Sequence, residues 1–78
     1  MTFPLTITTI GEVLFHGDAE SLIAPGADGE LTVLPNHVPL VTRLKEGRLK
    51  VRTREQVHEF SVSRGILEVS RKNVTVLL

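Results

Sequence analysis

Hydrophobic and polar residues alternate along most of this chain, with the period of a β-strand. Phe3, Leu5 and Ile7 are separated by polar or turn residues, which predicts a half-buried strand. Leu49 and Val51 alternate with Arg48, Lys50 and Arg52, followed by Arg54. Phe60 and Val62 alternate with Ser61 and Ser63, and His58 falls on the apolar side of that register. Val74, Val76 and Leu78 close the chain in the same rhythm. β-branched residues are dense, as pleated surfaces favour, and no stretch of ten residues carries a helical period.

Turn signals punctuate the runs: Gly11, His16-Gly17-Asp18, Pro25-Gly26, Asp28-Gly29, Pro35-Asn36, Glu46-Gly47, Arg64-Gly65 and Lys72-Asn73. Asp28-Gly29 is the sharpest, since both residues tolerate the positive φ of a tight hairpin. The predicted strands are roughly 3–9, 12–15, 20–24, 30–34, 39–43, 47–54, 57–63, 65–70 and 73–78. Short strands at even spacing predict an all-β domain, a two-sheet β-sandwich of about nine to ten strands. Residues 1–78 read as one domain, without repeat or linker.

Composition narrows the function classes. A domain of 78 residues has a thin core, expected to yield only about 3–5 kcal/mol without staples. There is no cysteine, which excludes disulfides and thiolate metal sites. The formal net charge is zero, but it is unevenly placed. Residues 1–42 carry five acidic and no basic residues (−5), and residues 43–78 carry nine basic and four acidic ones (+5). A general nucleic-acid binder would be basic overall, and three phenylalanines with no Trp or Tyr make a poor base-stacking platform. No apolar run reaches the roughly 20 residues of a membrane-spanning helix.

Catalytic patterns are thin. The P-loop and G-x-G-x-x-G patterns are absent. His16, His37 and His58 lack the close spacing of shared metal ligands and read as surface or core residues. No serine sits in a nucleophile elbow. Asp18 with Glu20 and Asp28 with Glu30 sit at turns, where carboxylates are solvated rather than paired for acid–base work. Asn73-Val74-Thr75 matches a glycosylation sequon but reads as a turn entering a strand. The basic run Arg48, Lys50, Arg52 and Arg54 has two readings. The favoured one is an edge or solvent face kept soluble by repulsion; the other is a docking face for an acidic partner.

The most informative segment runs from Gly29 to Leu40 (GELTVLPNHVPL). It predicts a strand after a tight turn, then a loop stiffened by Pro35 and Pro39, which fix φ and restrict their predecessors. Asn36 and His37 are thereby held on a rigid, exposed platform, a contact site in character. The segment resembles the G-E-L-G-[hydrophobic]-x-P-G-H-A-P-L signature of F-type ATP synthase epsilon subunits. Phe15-His16-Gly17, Glu46-Gly47 before the basic strand, Gly65-Ile66-Leu67-Glu68-Val69 and Asn73-Val74-Thr75-Val76-Leu77 follow in that family's order and spacing. The likeness covers residues 5–78. Thr32 and Asn36 stand where the family has glycines, and Arg64 where a small residue is common.

The resemblance implies the amino-terminal sandwich of a non-catalytic central-stalk subunit. It implies docking on the gamma subunit and on the polar loops of the c-ring, coupling proton flow to ATP synthesis, with no cofactor and no nucleic acid. Its place would be peripheral, on the cytoplasmic face of a bacterial inner membrane or on another energy-transducing membrane such as the thylakoid. By carry-over, Glu30 is expected to touch the c-ring, and Pro35, Asn36, His37, Val38 and Pro39 to belong to the surface meeting gamma and the ring. The competing readings are a solvated turn residue for Glu30 and a loop-stabilising hydrogen bond for His37. The family's two carboxy-terminal helices, which carry inhibition and in some members nucleotide binding, have no counterpart here, so no nucleotide is expected. The alternative is a free-standing β-sandwich interaction module.

Overall fold

The computed structural model describes residues 1–78 as nine strands and no helix. They are β1 (Phe3–Thr8), β2 (Val13–Ala19), β3 (Ser21–Gly26), β4 (Gly29–Val33), β5 (Leu40–Leu44), β6 (Gly47–Arg52), β7 (Val57–Val62), β8 (Gly65–Val69) and β9 (Val74–Leu77). The expected all-β sandwich-like domain is present, and its two layers are parts of one curled sheet. One layer runs β2-β1-β9-β8-β5 and the other β4-β3-β6-β7. All pairings are antiparallel except β1 with β9.

The layers join where β5 runs into β6. β5 pairs along its length with β8, whereas β6 pairs with β3 and β7. β3 bridges the corner, meeting β6 over Ser21–Ile23 and β5 only through Gly26 opposite Leu44. The Lys45 amide donates to the Pro25 carbonyl (2.9 Å) and the Ala27 amide to the Arg43 carbonyl (2.8 Å). A β-carbon at Gly47 would stand 2.8 Å from Pro25 Cβ, so the bend passes Pro25 only because glycine has no side chain.

Between the layers lie 15 buried hydrophobic residues and no buried polar one. They come from the inward register of every strand except β7's lower half, where His58 and Phe60 are only half-buried. Phe15 on β2 meets the His58 ring at 5.3 Å and the Phe60 ring at 6.4 Å between centroids. These edge-on contacts hold together the two free ends of the curled sheet.

Three loops share one device. The hydroxyls of Thr9, Thr53 and Ser70 each accept the backbone N–H groups two and three residues on. In each case the first residue's amide also donates to the fourth residue's carbonyl, at 2.8–2.9 Å. Such hydroxyl-led turns satisfy backbone groups locally and need no glycine at the apex.

Several sequence readings are corrected. His16-Gly17-Asp18 is not a turn but the middle of β2, where the Phe15 ring lies beside Gly17. Pro25-Gly26 belongs to β3, and its missing N–H falls where the strand changes partner from β6 to β5. The hairpin apex is Ala27-Asp28, with Gly29 as the first residue of β4 taking the positive φ of 136°. The basic strand ends at Arg52, leaving Arg54 in the turn. β6 also lies inside its layer and is not an edge.

Two outcomes follow. Gly47→Ala forces the new methyl against a rigid proline ring and should destabilise the domain by about 1–3 kcal/mol, read as a lower midpoint in urea with an unchanged slope. Asn36 is the single non-glycine residue with positive φ (67°). Asn36→Val should therefore cost about 1–2 kcal/mol, while Asn36→Gly should stay within about 0.5 kcal/mol of the parent; equal melting of the two variants would contradict the conformational account.

Candidate functional site

β4 and the loop after it carry every candidate contact residue. β4 alternates inward Leu31 and Val33 with outward Glu30 and Thr32, and it pairs only with β3. The Glu30 side chain is exposed, opposite Pro25 and next to the Ala27-Asp28 apex, and it makes no ion pair. Thr32, which replaces a family glycine, is exposed like Glu30.

At the other end of β4 the chain turns through Leu34-Pro35-Asn36-His37. Proline in second place and positive φ in third are the pattern of a type II turn, a position that asparagine tolerates. His37 then folds back, its ring meeting Phe3 edge-on at 5.6 Å and 89°. The expected loop-stabilising hydrogen bond is not made through Nδ1, which is buried without a partner. The loop instead rests on ring packing. Val38 is 76% exposed and Pro39 is exposed beside it. His37 borders a groove of about 380 Å³ whose apolar walls include Leu31, Val33, Leu40 and Val69, between the edge of one layer and the β5–β8 side of the other.

The six candidates therefore form two sites. Pro35, Asn36, His37, Val38 and Pro39 sit together, with Arg71 beside them. Glu30 lies roughly 15 Å away along the strand, at the opposite end of the domain. The three histidines are likewise dispersed: His16 Nδ1 lies 3.0 Å from the Thr6 hydroxyl, His37 packs on Phe3 and His58 on Phe15.

One surface escaped the sequence reading. On the outer face of the five-stranded layer, the registers place Arg43, Ile66, Leu77, Thr8 and Val13 in one row across five strands. Ile66 and Leu77 are each 44% exposed and Val13 60%, and Val41, two residues from Arg43 along β5, is 69% exposed. Leu40 lies on the other face of β5, opposite buried Val69, and lines the groove beside His37. The signal was present: Val13-Leu14, Leu40-Val41, Ile66-Leu67 and Leu77-Leu78 are adjacent apolar pairs, and within a strand one member of each must face outward. The other outer face is charged, with Arg48, Lys50 and Arg52 on β6 and a single salt bridge, Arg48 to Glu59 at 3.3 Å.

Comparison with known proteins adds the family. Residues 2–78 match the model of the ATP synthase delta/epsilon chain β-sandwich domain. The ATP synthase epsilon chain of Desulforamulus reducens is 44% identical over 73 residues, 94% of this chain and 55% of that one. That of Psychrobacter cryohalolentis is 44% identical over 77 residues, 97% of this chain and 56% of that one. The chain thus spans little more than half the length of these relatives. In a cryo-EM structure of the Euglena gracilis mitochondrial ATP synthase (OSCP/F1/c-ring), one chain superposes with a TM-score of 0.90 at 23% identity, over 97% of this chain and 49% of that one. A chain in the central stalk/c-ring structure of the Tetrahymena thermophila enzyme gives 0.78 at 17% identity, over 100% of this chain and 65% of that one. At those identities the superpositions speak to fold alone, but the sequence match is decisive: this chain belongs to the ATP synthase delta/epsilon chain β-sandwich family.

Proposed function

We propose that residues 1–78 are the amino-terminal sandwich of a non-catalytic rotor subunit, which docks on the gamma subunit and the c-ring of an F-type ATP synthase and couples proton flow to ATP synthesis. The reading is supported by membership of the family and by relatives named ATP synthase epsilon chain. The observation that carries it is the set of exposed aliphatic side chains Val41, Ile66, Leu77 and Val13 on the outer face of the five-stranded layer. A row of aliphatic side chains across a solvent face is the mark of a surface that a partner covers.

The separation of the candidates suggests a division of labour. The outer apolar residues and the His37 loop are both assigned here to gamma. Glu30, at the hairpin end, is assigned to the polar loops of the c-ring, where an exposed carboxylate meets a hydrated surface at little desolvation cost. A partner donor reaching His37 Nδ1 would satisfy the one buried polar side-chain atom without a hydrogen bond. Peripheral attachment to an energy-transducing membrane, on the side where gamma and the ring meet, follows from this placement.

Ile66→Glu with Leu77→Glu should lower affinity for purified gamma at least about tenfold while the free domain stays folded, since both positions already face water; unchanged binding would remove gamma from this face and favour a free-standing interaction module. For Glu30→Arg, the expected loss is in ATP-driven proton pumping by reconstituted vesicles, with hydrolysis retained. Pumping equal to the parent's would withdraw the c-ring assignment for that residue.

A further inference from the structure

The strand β6 carries Arg48, Lys50 and Arg52 on its outer face, alternating with Leu49 and Val51, which are fully buried. Edge protection does not explain them, because β6 is flanked by β3 on one side and β7 on the other. A solvated face of balanced charge would set acids opposite these cations. Their cross-strand neighbours are instead Ser61, Glu59 and Val57 on β7, with Ile23 and Ser21 on β3. The one acid, Glu59, is drawn diagonally to Arg48 at 3.3 Å, and Lys50 and Arg52 have no acidic group within salt-bridge distance. Like charges are thus held in a row on a rigid strand, on the layer opposite the apolar row.

We propose that this face binds a carboxylate-bearing, extended segment of a protein partner. An extended segment presents every second side chain on one side, repeating at roughly 6.8 Å, the same repeat that separates Arg48, Lys50 and Arg52. Acidic residues at alternate positions therefore meet the three cations in register. The two arginines add the planar fork that engages a carboxylate through paired N–H groups, and Glu59 already orients one of them.

Charge arithmetic separates this partner from other anions. Arg48, Lys50, Arg52 and Arg54 against Glu55 and Glu59 leave a net +2 on this side of the domain. Only Arg48, Lys50 and Arg52 project from the strand itself, short of the clusters of about four to eight cations that lipid recognition uses, and a net +2 gives only a roughly 30-fold enrichment at an anionic membrane. Single-stranded nucleic acid needs aromatic platforms beside the cations; Phe3, Phe15 and Phe60 all pack on the inner side of the sheet. A short acidic peptide asks only for the two or three fixed contacts that are present.

The test is an NMR titration of the ¹⁵N-labelled chain with a capped peptide of alternating threonine and glutamate. The controls are its glutamine counterpart, phosphatidylglycerol vesicles and an oligothymidylate. The acidic peptide should shift the amides of β6 together with Ser21, Ile23, Val57 and Glu59. The dissociation constant should rise about tenfold in Lys50→Gln/Arg52→Gln and also with added salt. The glutamine peptide should leave the spectrum unchanged. All three β6 cations are exposed, so the variant should keep its dispersed spectrum; Arg48→Gln supplies a second reading if it does not. The proposal is overturned by shifts that do not map to this face, by equal binding of parent and variants, or by tighter binding of the vesicles or the oligonucleotide through the same residues.

Discussion

The bend between β5 and β6 is the constraint on which the architecture depends. A single extended run leaves one layer and enters the other within Leu44 to Gly47, and β3 must follow it closely enough to pair with both halves. Gly47 lying against Pro25 is what permits that approach. Without the corner the two layers would be separate small sheets, each with an uncovered apolar face. With it, one curled sheet encloses a core from both sides, and only the Phe15, His58 and Phe60 rings are needed at the opposite seam. The corner also sets which residues share a surface: β5 is turned so that Val41 joins Ile66 and Leu77 on one face, while β6 sends its cations to the other.

Much of this was legible in the sequence, for physical reasons that differ by residue. Period-2 alternation marks β1, β6, β7 and β9, since a register with one buried face leaves little freedom about which side chains turn inward, and turn residues mark the rest. The errors lie where one residue type serves two ends. Gly17 and Pro25 have the character of punctuation, yet Gly17 lies inside β2 and Pro25 stands in β3 where the strand changes partner. The Thr53 turn carries no glycine or proline and is closed by a hydroxyl, a device without a distinctive sequence signature. Asn36 was read correctly because its tolerance of positive φ is intrinsic to the residue. The gap between Glu30 and the His37 loop follows directly from strand geometry, but treating the segment as one motif concealed it. The apolar row needed cross-strand registers, which no single stretch of sequence contains.

The surfaces of the domain divide by chemistry. The interior is wholly apolar and the loops are closed by short local hydrogen bonds, so little of the chain is free to yield when pushed. The hairpin end offers a carboxylate, one outer face offers aliphatic side chains, and the other offers cations. Each is suited to a different kind of contact, and none forms a cleft in which groups converge on a reacting atom.

The extent of the exposed surface bears on how complete the domain is by itself. A folded monomer of 8.6 kDa is expected to expose about 4,700 Å², and this one exposes 5293 Å². The difference does not come from an elongated shape, because the radius of gyration of 11.1 Å matches the roughly 11.5 Å expected of a compact chain of this length. The open parts of the fold include the outer aliphatic residues and the groove beside His37, whose buried ring nitrogen has no partner. Surplus area, an unmatched polar atom and uncovered aliphatic side chains are three open features of the isolated domain. In isolation each is a minor cost to a thin core; under a partner the same three features become binding energy. On this argument the domain reaches its full stability only in a complex, with the apolar row buried.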